Sequence, residues 1–582
     1  MKNTLKNKQN IFFEVGALLL ATLTPASSIW AEKFRAHEIP NTGAGYYMPT
    51  SSFTYLRLHE AIQTADIDND GFQDIVVLAD GNLPQIDDYH TPGGGIMNGD
   101  FLYGNTGGTE RESPNVRLGK TCCRDLGSGS VRTGSDLAWY KNDGYGYFYP
   151  VFVTPWDGFS STHAFVYNGK TLAVDDLDKD LDSDIVVWSS TGTYAGDVTL
   201  GSGRVAWFEN RWIQNNKYFN DTDAYPHFFQ HDVITPNSDG LFYVGSTSYS
   251  ITNPRAGTIT DMDGDTKNDL VILNYDGAPA GKSGLYWFKN TGGPGSGMFQ
   301  QVDPNVVPVK YGGGSSLYNK RFGITVVAAD LNGTTGMDLV IGENGTGTAA
   351  SRQVILLRNN GSGTNFERTI VADDFFVSKS IAVADVIDGG CLEIISGGKN
   401  VASSIFKSAL SVFKSPSSDC SGSPWTRYTL DRADTLPEIL DIRITDLNGD
   451  GLQDILAFSI ANTALAEIPA GKTSFITCWI NQAGTTPDDW ESFPLIDEKN
   501  TPPMTTMGGG MALGRFDLDG DTDIVRAHFE TNLTLFENTW NTERQVQVTT
   551  NATKNGVKQK VISVFGTNPD GSMGKMIRQK VQ

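Results

Sequence analysis

An acidic loop followed by a row of β-branched apolar residues recurs along this chain, and the recurrence limits its possible folds more than any other feature. The first copy lies in ADIDNDGFQDIVVLAD, residues 65–80. Others are DDLDKDLDSDIVVW from Asp175, DMDGDTKNDLVIL from Asp261, ADLNGTTGMDLVIG from Ala329, TDLNGDGLQDILAF from Thr445 and FDLDGDTDIVRAHF from Phe516, with a degenerate seventh, ADVIDGGCLEIISGG, from Ala384. Counted from Asp66, Asp176, Asp261, Asp330, Asp385, Asp446 and Asp517, neighbouring loops lie 55 to 110 residues apart. A second motif follows each loop: AWYKN, AWFEN, YWFKN, ILLRN, SVFKS, TCWIN and TLFEN, ending at Asn142, Asn210, Asn290, Asn359, Ser415, Asn481 and Asn538. Several of these run into Gly-rich turns and then an aromatic residue, the pattern of strand, turn, strand.

Each unit thus reads as a small-residue apolar strand, the acidic loop, a strand such as DIVVW, a third strand ending in aromatic-charged-Asn, and an outer strand. Four short antiparallel strands per repeat make one propeller blade, and seven blades packed face against face bury what a lone sheet cannot. No repeat shows a 3.6-residue apolar period, so a helical solenoid is excluded. The fold expected is all-β, a seven-bladed β-propeller over about residues 32–545.

Oxygen ligands at the first, third, fifth and ninth loop positions, with a main-chain carbonyl at the seventh, suit a hard cation of about 6–8 oxygens, Ca2+ rather than Mg2+. The complete sets are Asp66, Asp68, Asp70, Phe72 and Asp74; Asp176, Asp178, Asp180, Asp182 and Asp184; Asp261, Asp263, Asp265, Lys267 and Asp269; and Asp446, Asn448, Asp450, Leu452 and Asp454. Gly71 permits the tight turn of the first. An EF-hand needs a Glu at the twelfth position, where these loops carry Val77, Val187, Ile272 and Ala457. Four clustered acids doing catalysis without a metal would repel one another. The Asp330 loop has Thr334 at its fifth position, and the Asp517 loop, with Asp517, Asp519 and Asp521, reads as two residues short. The Asp385 loop, with Ile387, Gly389 and Glu393, is expected to bind no metal. About four to six structural Ca2+ ions follow.

The DxDxDGxxD loop before a strand, together with the WFKN-like segments, resembles the FG-GAP/VCBS repeats of integrin α-subunit propellers and of many secreted bacterial proteins, over about residues 50–540. The resemblance implies seven blades with calcium loops between the first two strands of a blade, on one rim. It implies no single function, since the family ranges over adhesion, glycan binding and modules attached to enzymes. EKFRAHEIP near residue 35 looks like an outer strand that completes the seventh blade.

A net charge of −22 without a Lys/Arg stripe argues against a nucleic-acid partner. Residues 1–31 read as an export signal, with Lys2, Lys6 and Lys8, the apolar IFFEVGALLLATL, and cleavage near Ser28 or Ala31. No later run is long and apolar enough to span a membrane. The mature protein is expected to be secreted, extracellular or periplasmic. In such an oxidising compartment Cys391 and Cys420 are the expected pair. Cys122 and Cys123 read as a vicinal disulfide, two thiols, or one of each.

Residues 80–136, an insertion of the first blade, are the leading candidate for ligand contact, because long loops on a rigid scaffold carry function. Trp139, Trp207 and Trp287 recur at equivalent positions and point to inter-blade packing, whereas the irregular Tyr89, Tyr103, Trp156 and Trp490 are free for a ligand. The histidines form no metal or triad motif, and no GxSxG, P-loop or dinucleotide fingerprint occurs. The functional expectation is a binding or adhesion module for a glycan or an extracellular protein. Its rival is a secreted carbohydrate-active hydrolase or lyase on the same ring. Residues 546–582 read as a tail or extra strands.

Overall fold

The structure is a computed structural model. It describes residues 34–39, 58–79, 137–152, 169–189, 204–211, 228–234, 242–249, 251–274, 283–302, 310–311, 321–345, 352–373, 377–399, 410–430, 439–460, 474–495, 510–527, 533–539, 545–567 and 573–581, apart from single positions and short turns inside these ranges. The export signal, the 80–136 insertion, Tyr89, Tyr103, Trp156 and the Cys122–Cys123 pair lie outside the described residues.

The chain is a seven-bladed β-propeller of four-stranded antiparallel blades. Blade 1 comprises Leu58–Ala65, Asp74–Ala79, Leu137–Asn142 and Phe148–Phe152, and each later blade repeats this order. The first strands of blades 2 to 7 are Gly169–Asp175, Pro254–Thr260, Arg321–Ala329, Val377–Ala384, Ile439–Thr445 and Met511–Gly514. Each first strand touches the first strand of the next blade, blade 7 meeting blade 1, so these strands form the inner ring. In blades 1 to 6 the pairing of first and second strands slips once near the start of the first strand, a bulge that bends it.

The second strands explain why their sequences are continuously apolar. Asp269–Asn274 is buried at every position, because one face packs on the preceding blade and the other on the following one. In blade 1, Ile75 and Val77 join the core shared with blade 7, while Val76 and Leu78 join the core shared with blade 2. Similar cores fill the other junctions. Full burial of each such side chain contributes about 1.5–3 kcal/mol. Trp139, Trp207 and Trp287 lie inside these junction cores, as the inter-blade reading expects.

Phe34–Ile39 is the fourth strand of blade 7, antiparallel to Leu533–Asn538 with Phe34 opposite Asn538. N-terminal chain thus covers the outer edge of the last blade. Beyond the propeller, Gln545–Lys554, Val557–Thr567 and Met573–Val581 form a three-stranded antiparallel sheet rather than a plain tail.

Candidate metal centres

Each acidic loop joins the first strand of its blade to the second, and in blades 1, 2, 3 and 6 its first acid shapes the turn. Asp66 accepts the amides of Asp70 and Gly71 at 3.0 and 2.9 Å. Asp176, Asp261 and Asp446 do the same in their own loops. The turn requires left-handed backbone at the fourth and sixth positions, Gly449 (φ 73°) and Gly451 (φ 91°) being the unstrained solution in blade 6. Leu181 (φ 79°) and Thr266 (φ 72°) adopt the same sixth-position conformation with a side chain. The loop is therefore held in this shape by more than local preference.

The ninth acid, expected as a ligand, also holds the backbone of the loop. In blade 1 Asp74 is fully buried; its Oδ2 accepts the amide of Ile67 at 3.1 Å and its Oδ1 the amide of Asn142 at 2.7 Å. It buckles the loop to the end of the third strand. Asp184, Asp269, Asp338, Asp454 and Asp523 repeat both bonds. Burial raises these carboxyls, Asp74, Asp269 and Asp454 to about 7 and Asp523 to about 8, the backbone donors only partly opposing it.

That buckle corrects the reading of the last loop. Asp523 accepts from Phe516 as Asp74 accepts from Ile67, so the loop runs from Arg515 to Asp523 and is full length. Asp517, Asp519 and Asp521 are its third, fifth and seventh positions, and Arg515 replaces the first acid. In blade 5 the ninth position is Glu393, whose Oε2 takes the amides of Val386 and Ile387, both at 3.0 Å.

Among the described residues, four groups of acids bring carboxylate oxygens within 4.8 Å of one another: Asp66, Asp68 and Asp70; Asp176, Asp178 and Asp184; Asp261, Asp263 and Asp265; and Asp517, Asp519 and Asp521. Each could hold a metal ion. Asp74 and Asp269 stand apart from their groups as buckles, whereas Asp184 serves in both. In blade 6, Asp446 and Asp450 are joined by Asn448, whose Oδ1 accepts the amide of Asp450 at 2.9 Å. At the seventh positions, Phe72, Asp182, Lys267 and Leu452 donate their amides to Asp70, Asp180, Asp265 and Asp450. The Asp182 side chain accepts the Asn69 amide of blade 1 at 2.7 Å and so links two loops.

The donor set fits a cation. Asp68 Oδ1, Asp263 Oδ1 and Asp519 Oδ2 are buried with no hydrogen-bond partner, an arrangement that is costly for a carboxylate oxygen unless positive charge meets it. Burial and the neighbouring carboxylates raise Asp178, Asp517 and Asp519 to about 7. A hard divalent ion would oppose that shift.

The asparagine ending each third strand, read from sequence as a marker of the strand end, proves to be an inter-blade hook. Asn210 Nδ2 donates to Ile67 O of the preceding blade at 2.8 Å and to Ser183 O of its own at 3.2 Å. Asn142, Asn290, Asn359, Asn481 and Asn538 repeat the arrangement. The signal was the same residue at the same strand end in six of seven repeats, with Ser415 as the exception. In Ser415's blade, Cys391 and Cys420 form the expected disulfide, with Cα atoms 5.7 Å apart, tying the loop to the turn after the third strand. Trp490, expected to be free for a ligand, is 4% exposed and packs with Trp479 in the junction of blades 5 and 6.

Neither a family model nor a curated protein matches the chain. Solved structures that match the chain include an exotype rhamnogalacturonan lyase, YesX, at 12% identity, covering 92% of this chain and 84% of that one with a TM-score of 0.33. Another is the NanB sialidase of Streptococcus pneumoniae, at 11% identity, 84% and 69% coverage and a TM-score of 0.33. A third is the Photorhabdus luminescens Tc holotoxin pore, at 11% identity and a TM-score of 0.30, where the match covers 73% of this chain but only 17% of the toxin chain. Likenesses this distant transfer neither an activity nor a ligand. Among the described residues, no helix is long and apolar enough to cross a membrane.

Proposed function

We propose that this chain is an exported, calcium-binding propeller of the FG-GAP/VCBS type that serves as a binding or adhesion module for a glycan or an extracellular protein. The observation that carries the calcium reading is the set of buried carboxylate oxygens without donors, Asp68 Oδ1, Asp263 Oδ1 and Asp519 Oδ2, each inside a group of converging acids. An oxygen-only donor set of this charge favours Ca2+. The Cys391–Cys420 disulfide supports an oxidising compartment, in line with the export signal. A rigid ring whose loops need not carry the core supports a role in presenting a binding surface.

The full chain, stripped with EGTA and refilled with CaCl2, should melt at a distinctly higher temperature when loaded. Applied to a glycan array in CaCl2 and in EGTA, it should show saturable, calcium-dependent binding without product. Release of cleaved saccharide would replace the binding module with a carbohydrate-active enzyme, and equal melting with and without calcium would end the calcium reading.

A further inference from the structure

Residues 545–582 carry six Lys and Arg against one acid, Asp570, in a chain whose net charge is −22. The three strands here, Gln545–Lys554, Val557–Thr567 and Met573–Val581, contain no acid. Among the described residues they pair as a sheet of their own, hydrogen-bonded to no blade.

Successive residues of a strand alternate between the two faces of its sheet, so the register sorts this one. Lys558 lies opposite Thr553 and Lys560 opposite Asn551, while Ile562 lies opposite Lys580 and Val564 opposite Arg578. All eight share one face. The other face takes Val546, Val561, Phe565 and Val581, with Lys554, opposite Val557, at its end. That is the alternation of a sheet that packs one face and keeps the other in water. Lys558, Lys560, Lys580 and Arg578 form one diagonal row, each about 7–8 Å from the next at ordinary strand rise and spacing. No Lys/Arg run in the sequence announces this row, because strand pairing rather than adjacency assembles it.

We propose that this face of the C-terminal sheet is a binding surface for an acidic polysaccharide, its cations taking the carboxylates or sulfates and Asn551 and Thr553 the hydroxyls. A row of cations with no acid among them sets up a positive potential along a line, which fits a linear anion. The amide and hydroxyl on the neighbouring strand both donate and accept hydrogen bonds, as sugar hydroxyls require. Single-stranded nucleic acid calls for aromatic residues among the cations, and the sheet's one aromatic residue, Phe565, falls on the opposite face. The ring's own loop acids are a poorer match, since they take backbone amides, as Asp66 does, and on the calcium reading a cation as well. The inference rests on the glycan reading above and narrows it to an anionic glycan held by the C-terminal sheet.

The test is biolayer interferometry of the calcium-loaded full chain against dextran sulfate, with uncharged dextran, a single-stranded oligonucleotide and phosphatidylglycerol vesicles as alternatives. Dextran sulfate should bind saturably and more weakly as NaCl is raised, and dextran should not bind. Lys558→Gln with Lys560→Gln, and separately Arg578→Gln with Lys580→Gln, should each weaken binding by about tenfold. Lys554→Gln, on the other face, should leave it unchanged. The two pairs lie on different strands, so a pair that melts early leaves the other as a test. An equal loss in Lys554→Gln would reduce the row to bulk charge and overturn the inference. Tighter binding of the oligonucleotide or the vesicles, or wild-type self-association that both double variants abolish, would also overturn it. Array glycans bound equally by the wild type and both double variants would overturn it while leaving the glycan reading intact. Absence of binding to any glycan would overturn both.

Discussion

The side-chain amide of Asn142 donates to the carbonyl of Phe516 at 2.9 Å, across 374 residues of sequence, and so hooks blade 1 to blade 7. The same nitrogen donates to Gln73 O at 3.0 Å, and its Oδ1 accepts the amide of Gly144 at 3.0 Å. Asn142→Ala leaves buried main-chain groups unpaired on both blades, and such groups cost about 1–3 kcal/mol. Urea denaturation should show a loss of that size, with a similar one for Asn290→Ala. A change below about 0.5 kcal/mol would mean that water satisfies the carbonyls instead.

Removal of residues 32–45 deletes Phe34–Ile39, the fourth strand of blade 7. It uncovers the edge of Leu533–Asn538 and takes Ile39 from the core between blades 7 and 1. The expected outcome is loss of a single cooperative melting transition, read by differential scanning calorimetry. Unchanged melting would show that the ring closes without this strand.

Blade 5 lacks both a full set of loop acids and a strand-terminal asparagine, and Cys391, at the seventh loop position, is bonded to Cys420 instead. Replacing both cysteines with Ser should lower stability by about 2–4 kcal/mol. The difference from wild type should be the same in CaCl2 and in EGTA if, as the sequence leads one to expect, the disulfide clips a loop that holds no cation. A gap that saturating calcium abolishes would contradict this division of roles.

Burial raises Glu393 to about 7 from an ordinary value of 4.5, with its two backbone donors opposing. A carboxyl raised in the folded state binds its proton more tightly there. Its contribution to stability is therefore present at low pH and lost as pH climbs from about 4.5 to about 7. Glu393→Gln removes that titration. Between pH 5 and pH 7.5 the wild type should lose more stability than the variant, measured by urea midpoints at each pH. Parallel profiles would show that Glu393 ionises normally.

The blades and the junction role of the tryptophans were legible because strand periodicity and an acidic loop repeat leave little choice of fold. Less legible was what the loop residues touch. Asp517 reads as the first position because it is the first acid of its run. The invariant anchor is the buried ninth residue, Asp523, and its bond to Phe516 sets the register. A motif scored by charge alone cannot show that an acid also carries backbone amides, as Asp74 carries those of Ile67 and Asn142. Trp490 misleads for a related reason: it breaks the stripe's periodicity, yet a short 3-10 turn at Pro487–Asp489 delivers it into the core.

The pairing of Phe34–Ile39 with Leu533–Asn538 also sets a timetable. His37 and Glu537, in contact at 2.6 Å, stand 500 residues apart, so the first strand of the ring to leave the ribosome is the last to meet its neighbour. At about 5–20 residues per second of synthesis, that strand waits roughly half a minute to two minutes for its partner. Until then six blades can stack in order of manufacture, but the circle stays open.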